Sequence, residues 1–267
     1  MMGCNNRPEL IYPELSYSII GSAMEVHNGL GPGWDEWDYH RAMIEALSSS
    51  GHEVLSHNRK ALGHRGEVVD HFELDLLVDD LIILELKHIK SAFHPEHYTQ
   101  IINYLKRWEK RLGILINFGL ERLANKRIPY DPVAAAVHFS GKWKELGQRN
   151  PISCKRVVTA IKGVLAEHGY GYGVQVFQNL LMEEFRSLDA VAIKPILTPK
   201  YGGLVLEGRE IDCLLIDSEL LVSISASARD ASAADLAYLK SYMKQTGISY
   251  GVLIDIGSAD IQLKGVL

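Results

Sequence analysis

The sequence is poor in several features that would define a more specialised class of protein. Only three of its 267 residues are cysteines, without metal-type spacing, which indicates reduced thiols in a cytoplasm rather than a disulfide scaffold. No apolar run approaches the roughly 20 residues that a membrane helix requires, so we expect no membrane association. The net charge of −5 argues against a broad basic surface that coats nucleic acid, although it is compatible with one local phosphate-binding site.

An internal repeat is the most informative feature that the sequence does contain. Residues 18–34 align without a gap on residues 156–172, which places Gly33 on Gly171, 138 positions later (171 − 33). The later segment LGILINFG aligns on YGVLIDIG with the same offset. A repeat this long indicates a duplicated domain rather than a solenoid, whose units are several-fold shorter. What both copies keep is therefore expected to be fold, and what only one copy keeps is expected to be chemistry.

The duplication predicts two domains, at 1–148 and 149–267, joined by the polar segment Gly147–Pro151. Each copy runs in the order helix, helix, hairpin, helix, strand, judged from apolar spacing and turn residues. This order predicts an α/β fold in which helices flank a mixed central sheet. The elements predicted in the first copy are helices over 14–28, 35–47 and 97–112, and strands over 52–55, 68–78, 81–87 and 114–116.

Three ionisable residues coincide on a predicted hairpin of the first copy. If its turn spans residues 79–81, Asp75 lies opposite Glu85, and the period of two in a strand puts Lys87 on the same face. Two adjacent carboxylates repel unless one is protonated or a cation separates them. Mg²⁺, or Mn²⁺ in its place, suits such a site because Mg²⁺ binds one or two carboxylates and keeps several waters. The pattern therefore predicts Asp75 and Glu85 as metal ligands.

Phosphodiester hydrolysis is the chemistry that this arrangement predicts. A bound divalent ion acidifies a water molecule and stabilises the pentavalent phosphate. Lys87 can hold that water or neutralise charge on the phosphate. The alternative is that the three side chains only solvate the end of a strand, because a lone D…ExK pattern is short and common.

The second copy discriminates between these two interpretations. Its hairpin matches that of the first copy if one residue is inserted at the turn. Solvation alone would not require the glutamate and the lysine to be lost together, so the joint loss favours chemistry in the first copy. The residues and their predicted counterparts are Asp75 and Asp212, Glu85 and Ser223, and Lys87 and Ser225.

Glu36 is a further candidate in the first copy. It lies in the first turn of the second predicted helix, where the helix dipole alone favours a negative side chain. The second copy has Val174 at this position but keeps the aromatic character of Tyr39 as Phe177. We therefore expect Tyr39 to belong to the core and Glu36 to the catalytic site.

A polar stripe accompanies the apolar stripe of the third predicted helix. Its members, Gln100, Tyr104, Arg107 and Arg111, recur at helical spacing. Such a stripe can bring the amide of Gln100 to the catalytic site and lay a phenol and two guanidiniums along a phosphate backbone. The alternative is an ordinary solvated face. The second copy keeps the tyrosine but not the glutamine, so we expect Gln100 to be active and Tyr104 to be partly structural.

Five motifs follow one another in order through residues 12–125. They are AMEVHNGLGPG, Gly33-x-x-Glu36-x-x-Tyr39, FELDLLVDDLIILELK, Gln100-x-x-Asn103-Tyr104-Leu105-Lys106 and LGILINFG. Together they resemble the GxxExxY proteins, which are assigned to the PD-(D/E)xK nuclease-like superfamily. The resemblance implies a restriction-endonuclease-like core, a prokaryotic origin, and DNA, or less commonly RNA, as substrate.

By motif, the resemblance also implies roles for individual residues. Asp75 and Glu85 would be metal ligands, Lys87 the catalytic lysine, Glu36 the helix carboxylate, and Gln100 with Tyr104 the trailing helix motif. We expect one Mg²⁺-dependent nuclease site in the first domain, with the second domain as an inert partner in an intramolecular pseudo-dimer. Two sites would then require a homodimer. The alternatives are a non-catalytic module that binds nucleic acid or protein, and a phosphoesterase that acts on a small molecule.

Overall fold

The computed structural model of the protein describes residues 10–132, 134–226, 233–256 and 260–267. Over these ranges every helix is too short or too polar to pass through a lipid bilayer. The chain divides into two compact units. The first unit combines the described residues up to Ala61 with His71–Asp131, and the second combines Leu62–Asp70 with Pro132–Leu267.

The first half of the chain forms a five-stranded sheet and three helices. The helices are α1 (Pro13–Leu30), α2 (Glu36–Ser49) and α3 (Pro95–Trp108). The strands are β1 (Val54–Ser56), β2 (Arg59–His64), β3 (Glu67–Glu73), β4 (Leu76–Val78), β5 (Ile82–Lys87), β6 (Leu112–Asn117) and β7 (Ala124–Pro129). The sheet has the order β1-β4-β5-β6-β7, with β5 and β6 parallel and the other neighbours antiparallel, while β2 and β3 pair separately.

Local sequence signals set the ends of the first two helices. α1 ends at Gly31, whose φ of 70° favours glycine and whose N–H donates to the carbonyl of His27 at 2.8 Å. Asp35 begins α2 by accepting a hydrogen bond from the N–H of Asp38 at 3.0 Å. These two caps place Glu36 at the start of α2.

The sheet of the first unit is buried on both faces. Even-numbered residues of β4, β5 and β6 form one core cluster with α1 and α2. Tyr39 of α2 is fully buried in this cluster and stacks on Phe118 with ring centroids 4.6 Å apart, which confirms its predicted core role. Side chains alternate along a strand, so Glu85 and Lys87 project on the opposite face. That face is the one covered by α3, because a Cβ at Gly113 would meet Ile101 of α3.

The second half of the chain repeats this architecture. Its helices are α4 (Trp143–Arg149), α5 (Pro151–His168), α6 (Val174–Ser187) and α7 (Ala233–Thr246). Its strands are β8 (Val137–Gly141), β9 (Ala192–Ile193), β10 (Ile196–Leu197), β11 (Lys200–Tyr201), β12 (Leu204–Val205), β13 (Arg209–Glu210), β14 (Leu214–Ile216), β15 (Leu220–Ser225), β16 (Tyr250–Ile256) and β17 (Ile261–Val266). The main sheet has the order β8-β17-β16-β15-β14-β9, in which β8 is an addition at the edge.

The repeat holds residue by residue. Helices α5, α6 and α7 have the lengths of α1, α2 and α3, and each begins 138 positions after its counterpart. The pairing of β15 with β16 is parallel, like that of β5 with β6. The predicted α/β fold, two tandem mixed sheets flanked by helices, is confirmed.

The predicted linker and one predicted strand differ from the structure. Gly147–Pro151 contains the end of α4 and the beginning of α5, so the boundary predicted between residues 148 and 149 falls inside the second compact unit. The strand predicted over 68–78 breaks between β3 and β4, at Leu74 and Asp75. Leu74 and Asp75 lie outside the two strands, and the Asp75 carbonyl accepts a hydrogen bond from the N–H of His57 at 3.1 Å.

A glycine in each copy allows a helix to pack closely on the sheet, and this generates a stability prediction. A Cβ at Gly113 would lie 2.5 Å from Ile101, and one at Gly251 would lie 2.6 Å from Met243 of α7. We expect Gly113→Ala to lower the free energy of unfolding by about 1–3 kcal/mol through overpacking. Denaturant unfolding measures this change.

Gly21, in the interior of α1, is the matched control. It has open space where a Cβ would be, so Gly21→Ala should stabilise the protein by about 0.5–1 kcal/mol through helix propensity. Equal effects of the two substitutions would contradict the packing argument.

Candidate active site

The β4–β5 hairpin sets the geometry of the site. Val78 pairs with Ile82, so the turn spans residues 79–81 as predicted, and continuing the register places Asp75 opposite Glu85. The N–H of Leu86 donates to Asp75 Oδ2 at 2.7 Å, which ties the aspartate to the neighbouring strand. The predicted juxtaposition of the two carboxylates across the hairpin is confirmed.

Glu85 is the most deeply buried ionisable group of the site. It has no solvent exposure, and its Oε1 accepts a hydrogen bond from Lys87 Nζ at 2.5 Å. Its Oε2 is buried without a hydrogen-bond partner. Burial raises the pKa of Glu85 to about 8, and the charge of Asp75 adds to this, while Lys87 opposes it. Ionisation of this carboxyl is therefore disfavoured by burial and by Asp75, and a cation beside it favours ionisation, as Lys87 already does in part.

Asp75 and Lys87 are the other two ionisable residues of the hairpin site. Burial raises the pKa of Asp75, and the Leu86 hydrogen bond and the Lys87 charge act in the other direction. Burial alone would lower the pKa of Lys87, but the surrounding carboxylates, Glu85 foremost, outweigh it and raise the pKa. Lys87 is therefore a fixed ammonium whose side chain is only 14% exposed.

Glu36 approaches the same site from α2. Its negative charge contributes to the raised pKa values of Asp75 and Glu85, after burial as the main cause. Its carboxylate is about half exposed and lies 3.7 Å from Nδ1 of His88. Among the described residues, Glu36 does not join Asp75 and Glu85 in a group whose ligand atoms all lie within 4.8 Å. It is thus a charge near the site with access to solvent.

Gln100 and Tyr104 lie together on α3 and reach the site through its covered face. Gln100 Nε2 donates to the Tyr104 hydroxyl at 2.8 Å. Burial raises the pKa of Tyr104, and the charges of Glu85 and Asp75 contribute in the same direction. Tyr104 also packs edge to face against Trp108, with ring centroids 5.9 Å apart, which fits its expected structural share.

The structure separates the two arginines of the predicted stripe. Arg107 donates through Nε and Nη2 to the carbonyl of Ala61, at 2.9 and 2.6 Å, so its guanidinium binds the backbone of β2. α3 ends at Trp108 because Glu109 adopts a left-handed conformation with φ of 56°. Arg111 therefore lies beyond the end of the helix and does not belong to the stripe, contrary to the prediction. Its exposed guanidinium lies 3.1 Å from Asp131.

Sequence reasoning missed His40, which also lies beside the hairpin. Its Nε2 is 3.3 Å from the carbonyl oxygen of Asp75 and 3.2 Å from Ser56 Oγ, and its ring stacks on Trp37. His40 is nearly fully buried. The available signal was its position four residues after Glu36, which puts both residues on one face of α2.

The residues of the site fit a divalent metal ion. Hard cations bind carboxylate oxygens, and one or two carboxylates with several waters suffice for Mg²⁺. The unpartnered Glu85 Oε2 is a buried acceptor that lacks the cation or donor that such an atom normally finds. Asp75 supplies the second carboxylate across the hairpin.

The corresponding position in the second copy has lost this chemistry. Ile216 pairs with Leu220, so the turn is again three residues long and no residue is inserted there, contrary to the prediction. Cys213, not Asp212, therefore takes the register position of Asp75 and faces Ser223. Burial raises the pKa of Cys213 to about 12, which keeps its thiol protonated and unreactive.

The prediction that the second copy keeps the aspartate is therefore wrong. Asp212 is exposed one position before the register site. Ser225, at the position of Lys87, donates instead to Asp255 at 3.2 Å. The second copy keeps none of the three ionisable residues of the first. Cys154 and Cys213 are free buried thiols, and Cys4 lies outside the described residues.

The fold and the site define a nuclease-like protein with an acidic pair and a lysine on one hairpin. Residues 13–128 and 152–265 both match the family model described as the PD-(D/E)XK nuclease superfamily. These matches cover most of the chain, one in each copy, and the chain belongs to the PD-(D/E)XK nuclease superfamily. Nucleases of this superfamily typically use divalent metal ions.

Two further comparisons add little to this assignment. No curated protein matches the chain. A solved structure described as "Crystal structure of SSO0001" is similar with 19% sequence identity and a TM-score of 0.30. The match covers 45% of this chain and spans only 61% of the length of that one, and at this TM-score it supports no argument.

The buried carboxyl of Glu85 predicts a pH dependence of stability in the metal-free protein. Between about pH 4.5, where a glutamate of the unfolded chain titrates, and about pH 8, the folded protein retains a proton that the unfolded chain has released. The free energy of unfolding should therefore fall as pH rises through this window, by up to about 1.4 kcal/mol per pH unit. Denaturant unfolding at several pH values measures the slope.

Glu85→Gln should remove this part of the slope, because the amide does not titrate. Glu121→Gln, at an exposed glutamate of the same unit, serves as the control and should leave the slope as in the wild type. A slope that is the same in all three proteins would show that Glu85 is ionised in the folded state.

Proposed function

We propose that the protein is a metal-dependent nuclease with one active site, in its first domain. The observation that supports this most strongly is the buried Glu85 carboxyl, paired with Lys87, facing Asp75 and left with one unpartnered oxygen. Such a constellation is unfavourable for stability unless a cation and a phosphate complete it. Superfamily membership gives the same reaction class.

In this proposal Asp75 and Glu85 hold the divalent ion, Mg²⁺ or Mn²⁺. When bound, the ion would lower the pKa of a water molecule and offset charge on the phosphate. Lys87 holds the attacking water or neutralises a phosphate oxygen with its fixed ammonium. Gln100, oriented by its hydrogen bond to Tyr104, offers an amide to the same space. Glu36 supplies the solvent-accessible carboxylate that can accept a proton.

The substrate and the finer family are part of the proposal. The spacing Gly33-x-x-Glu36-x-x-Tyr39 supports assignment to the GxxExxY proteins. DNA is the expected substrate, and the net charge of −5 indicates that phosphate binding is local rather than spread over a broad surface. With one site per chain, the product would be a nick in one strand. The second domain, which lacks the acidic pair and the lysine, is proposed to be a pseudonuclease.

Loss of Lys87 provides the direct test. The full chain is incubated with Mg²⁺ or Mn²⁺ and with supercoiled, branched and single-stranded DNA, and cleavage is followed on gels. We expect Lys87→Ala to cut about 10²–10³-fold more slowly, the loss typical of removing one charge-stabilising donor. Lys90→Ala, which removes an exposed lysine three residues away, should cut like the wild type.

Metal binding helps to distinguish an active nuclease from a module that has lost catalytic activity. Wild-type protein should melt at a higher temperature with Mg²⁺ or Mn²⁺, and Asp75→Asn should lose this shift. Wild-type cleavage no faster than that of Lys87→Ala on every substrate would overturn the proposal. If the metal shift nevertheless remained, a non-catalytic binding module would replace it.

The two arginines should respond differently in DNA binding. Arg111 is exposed and can exchange Asp131 for a phosphate, so Arg111→Ala should weaken binding and lower the slope of log K against log salt by about one. Arg107 is held by the carbonyl of Ala61, so Arg107→Ala should mainly reduce stability, by about 1.5–3 kcal/mol. Fluorescence anisotropy of DNA, recorded with Ca²⁺ in place of Mg²⁺, measures binding by Arg111→Ala. Denaturant unfolding measures the stability of Arg107→Ala. An unchanged salt slope for Arg111→Ala would remove it from the binding surface.

A further inference from the structure

A group of three metal-ligating side chains lies in the second compact unit. It consists of His64, at the end of β2, and Glu167 and His168, in the last turn of α5. Their ligand atoms all lie within 4.8 Å of one another, and none of the three belongs to the candidate active site. His64 is completely buried at its side chain, whereas Glu167 is 41% exposed. The group is therefore anchored inside the unit and open to solvent on one side.

The distances within the group match the edges of a small coordination shell. His168 Nε2 lies 3.0 Å from His64 Nδ1. Glu167 Oε2 lies 3.2 Å from the same Nδ1, and Glu167 Oε1 lies 3.6 Å from His168 Nε2. Two ligands of a tetrahedral zinc ion, each bound at about 2.0–2.1 Å, are separated by about 3.3 Å. The two nitrogens, and the Glu167 carboxylate that approaches each of them with a different oxygen, are thus spaced closely enough to surround one zinc ion.

The second nitrogen of His64 has the partner expected of a metal-bound imidazole. Its Nε2 lies 2.8 Å from Oε2 of the buried Glu184. Metal-ligating histidines commonly direct their other nitrogen at a carboxylate, which fixes the ring and raises its basicity. Glu184 is held in turn by Arg65, through Nε at 2.6 Å and Nη2 at 2.9 Å.

The chain makes room for this supporting carboxylate. A Cβ at Gly163 would lie 2.0 Å from Glu184 Oε1, so any larger residue would displace it. The first copy has Glu25 at the position of Gly163 and Ala46 at that of Glu184. The glycine and the carboxylate that it accommodates thus occur together only in the second copy.

We propose that His64, Glu167 and His168 form a zinc-binding site in the second unit, with water as the fourth ligand and Glu184 orienting His64. Two imidazoles and one carboxylate form a donor set that suits Zn²⁺ better than Mg²⁺, which prefers oxygen ligands. The carboxyl end of α5 also favours a cation, because the helix dipole is negative there. The positive charge of Arg65 lies close to the group, with its Nη1 3.6 Å from Glu167 Oε2, but the same guanidinium binds Glu184 more closely, at 2.6 and 2.9 Å.

The test measures zinc binding by the full-length chain in an Asp75→Asn background, which weakens metal binding at the candidate active site. The protein is stripped with a chelator, titrated with Zn²⁺ alone, and followed by metal analysis and by melting temperature. We expect one bound zinc per chain and a rise in melting temperature. Co²⁺ substitution should give the visible absorption of a tetrahedral site.

Two ligand variants and one control make the result specific. Glu167→Gln and His168→Gln, each added to Asp75→Asn, should weaken zinc binding by at least about 10–100-fold. His138→Gln changes a half-exposed histidine of the same unit, 3.5 Å from Asp260, and should leave binding unchanged. Far-UV circular dichroism checks that each variant folds. We expect Glu167→Gln to fold because the Glu167 side chain is partly exposed. Absence of zinc binding, or equal binding by all variants, would overturn the proposal.

Discussion

A carboxyl group buried across a three-residue hairpin from a second carboxyl group is the constraint that sets the geometry of the candidate active site. Glu85 lies in the middle of a sheet whose faces are both covered, and the register of the β4–β5 hairpin places Asp75 opposite it. Each carboxyl accepts one hydrogen bond: the amide of Leu86 donates to Asp75, and the ammonium of Lys87 donates to Glu85. The charges are placed by the backbone register rather than by flexible loops.

The helices complete this arrangement from two sides. α3 crosses over the face that carries Glu85, and its tight contact at Gly113 holds Gln100 and Tyr104 close to the acidic pair. α2 begins at the cap made by Asp35, so Glu36 is fixed in its first turn, beside the same charges. Residues far apart in sequence therefore meet because two helices pack on one short hairpin.

Much of this could be predicted from the sequence, because local patterns determine it. The two aspartates at 79 and 80 fit a tight turn, and the turn length fixes that Asp75 faces Glu85. The core position of Tyr39 followed from its aromatic counterpart in the repeat. Contacts that join distant segments could not be read in this way. The binding of Arg107 to the carbonyl of Ala61 depends on where β2 passes α3. Arg111 does not belong to the stripe because the helix ends at Trp108, where Glu109 adopts a left-handed conformation.

The second copy shows what the fold itself requires. Its hairpin has the same strands, register and turn length, yet Cys213, Ser223 and Ser225 stand where the first copy has its ionisable residues. Sequence alignment concealed the loss of the aspartate, because shifting the chain by one residue matched Asp212 to Asp75. A buried carboxyl costs several kcal/mol when it is ionised without full compensation, and neutral side chains avoid that penalty. Since the neutral hairpin folds in the same way, the charges of the first copy are not needed to form the sheet.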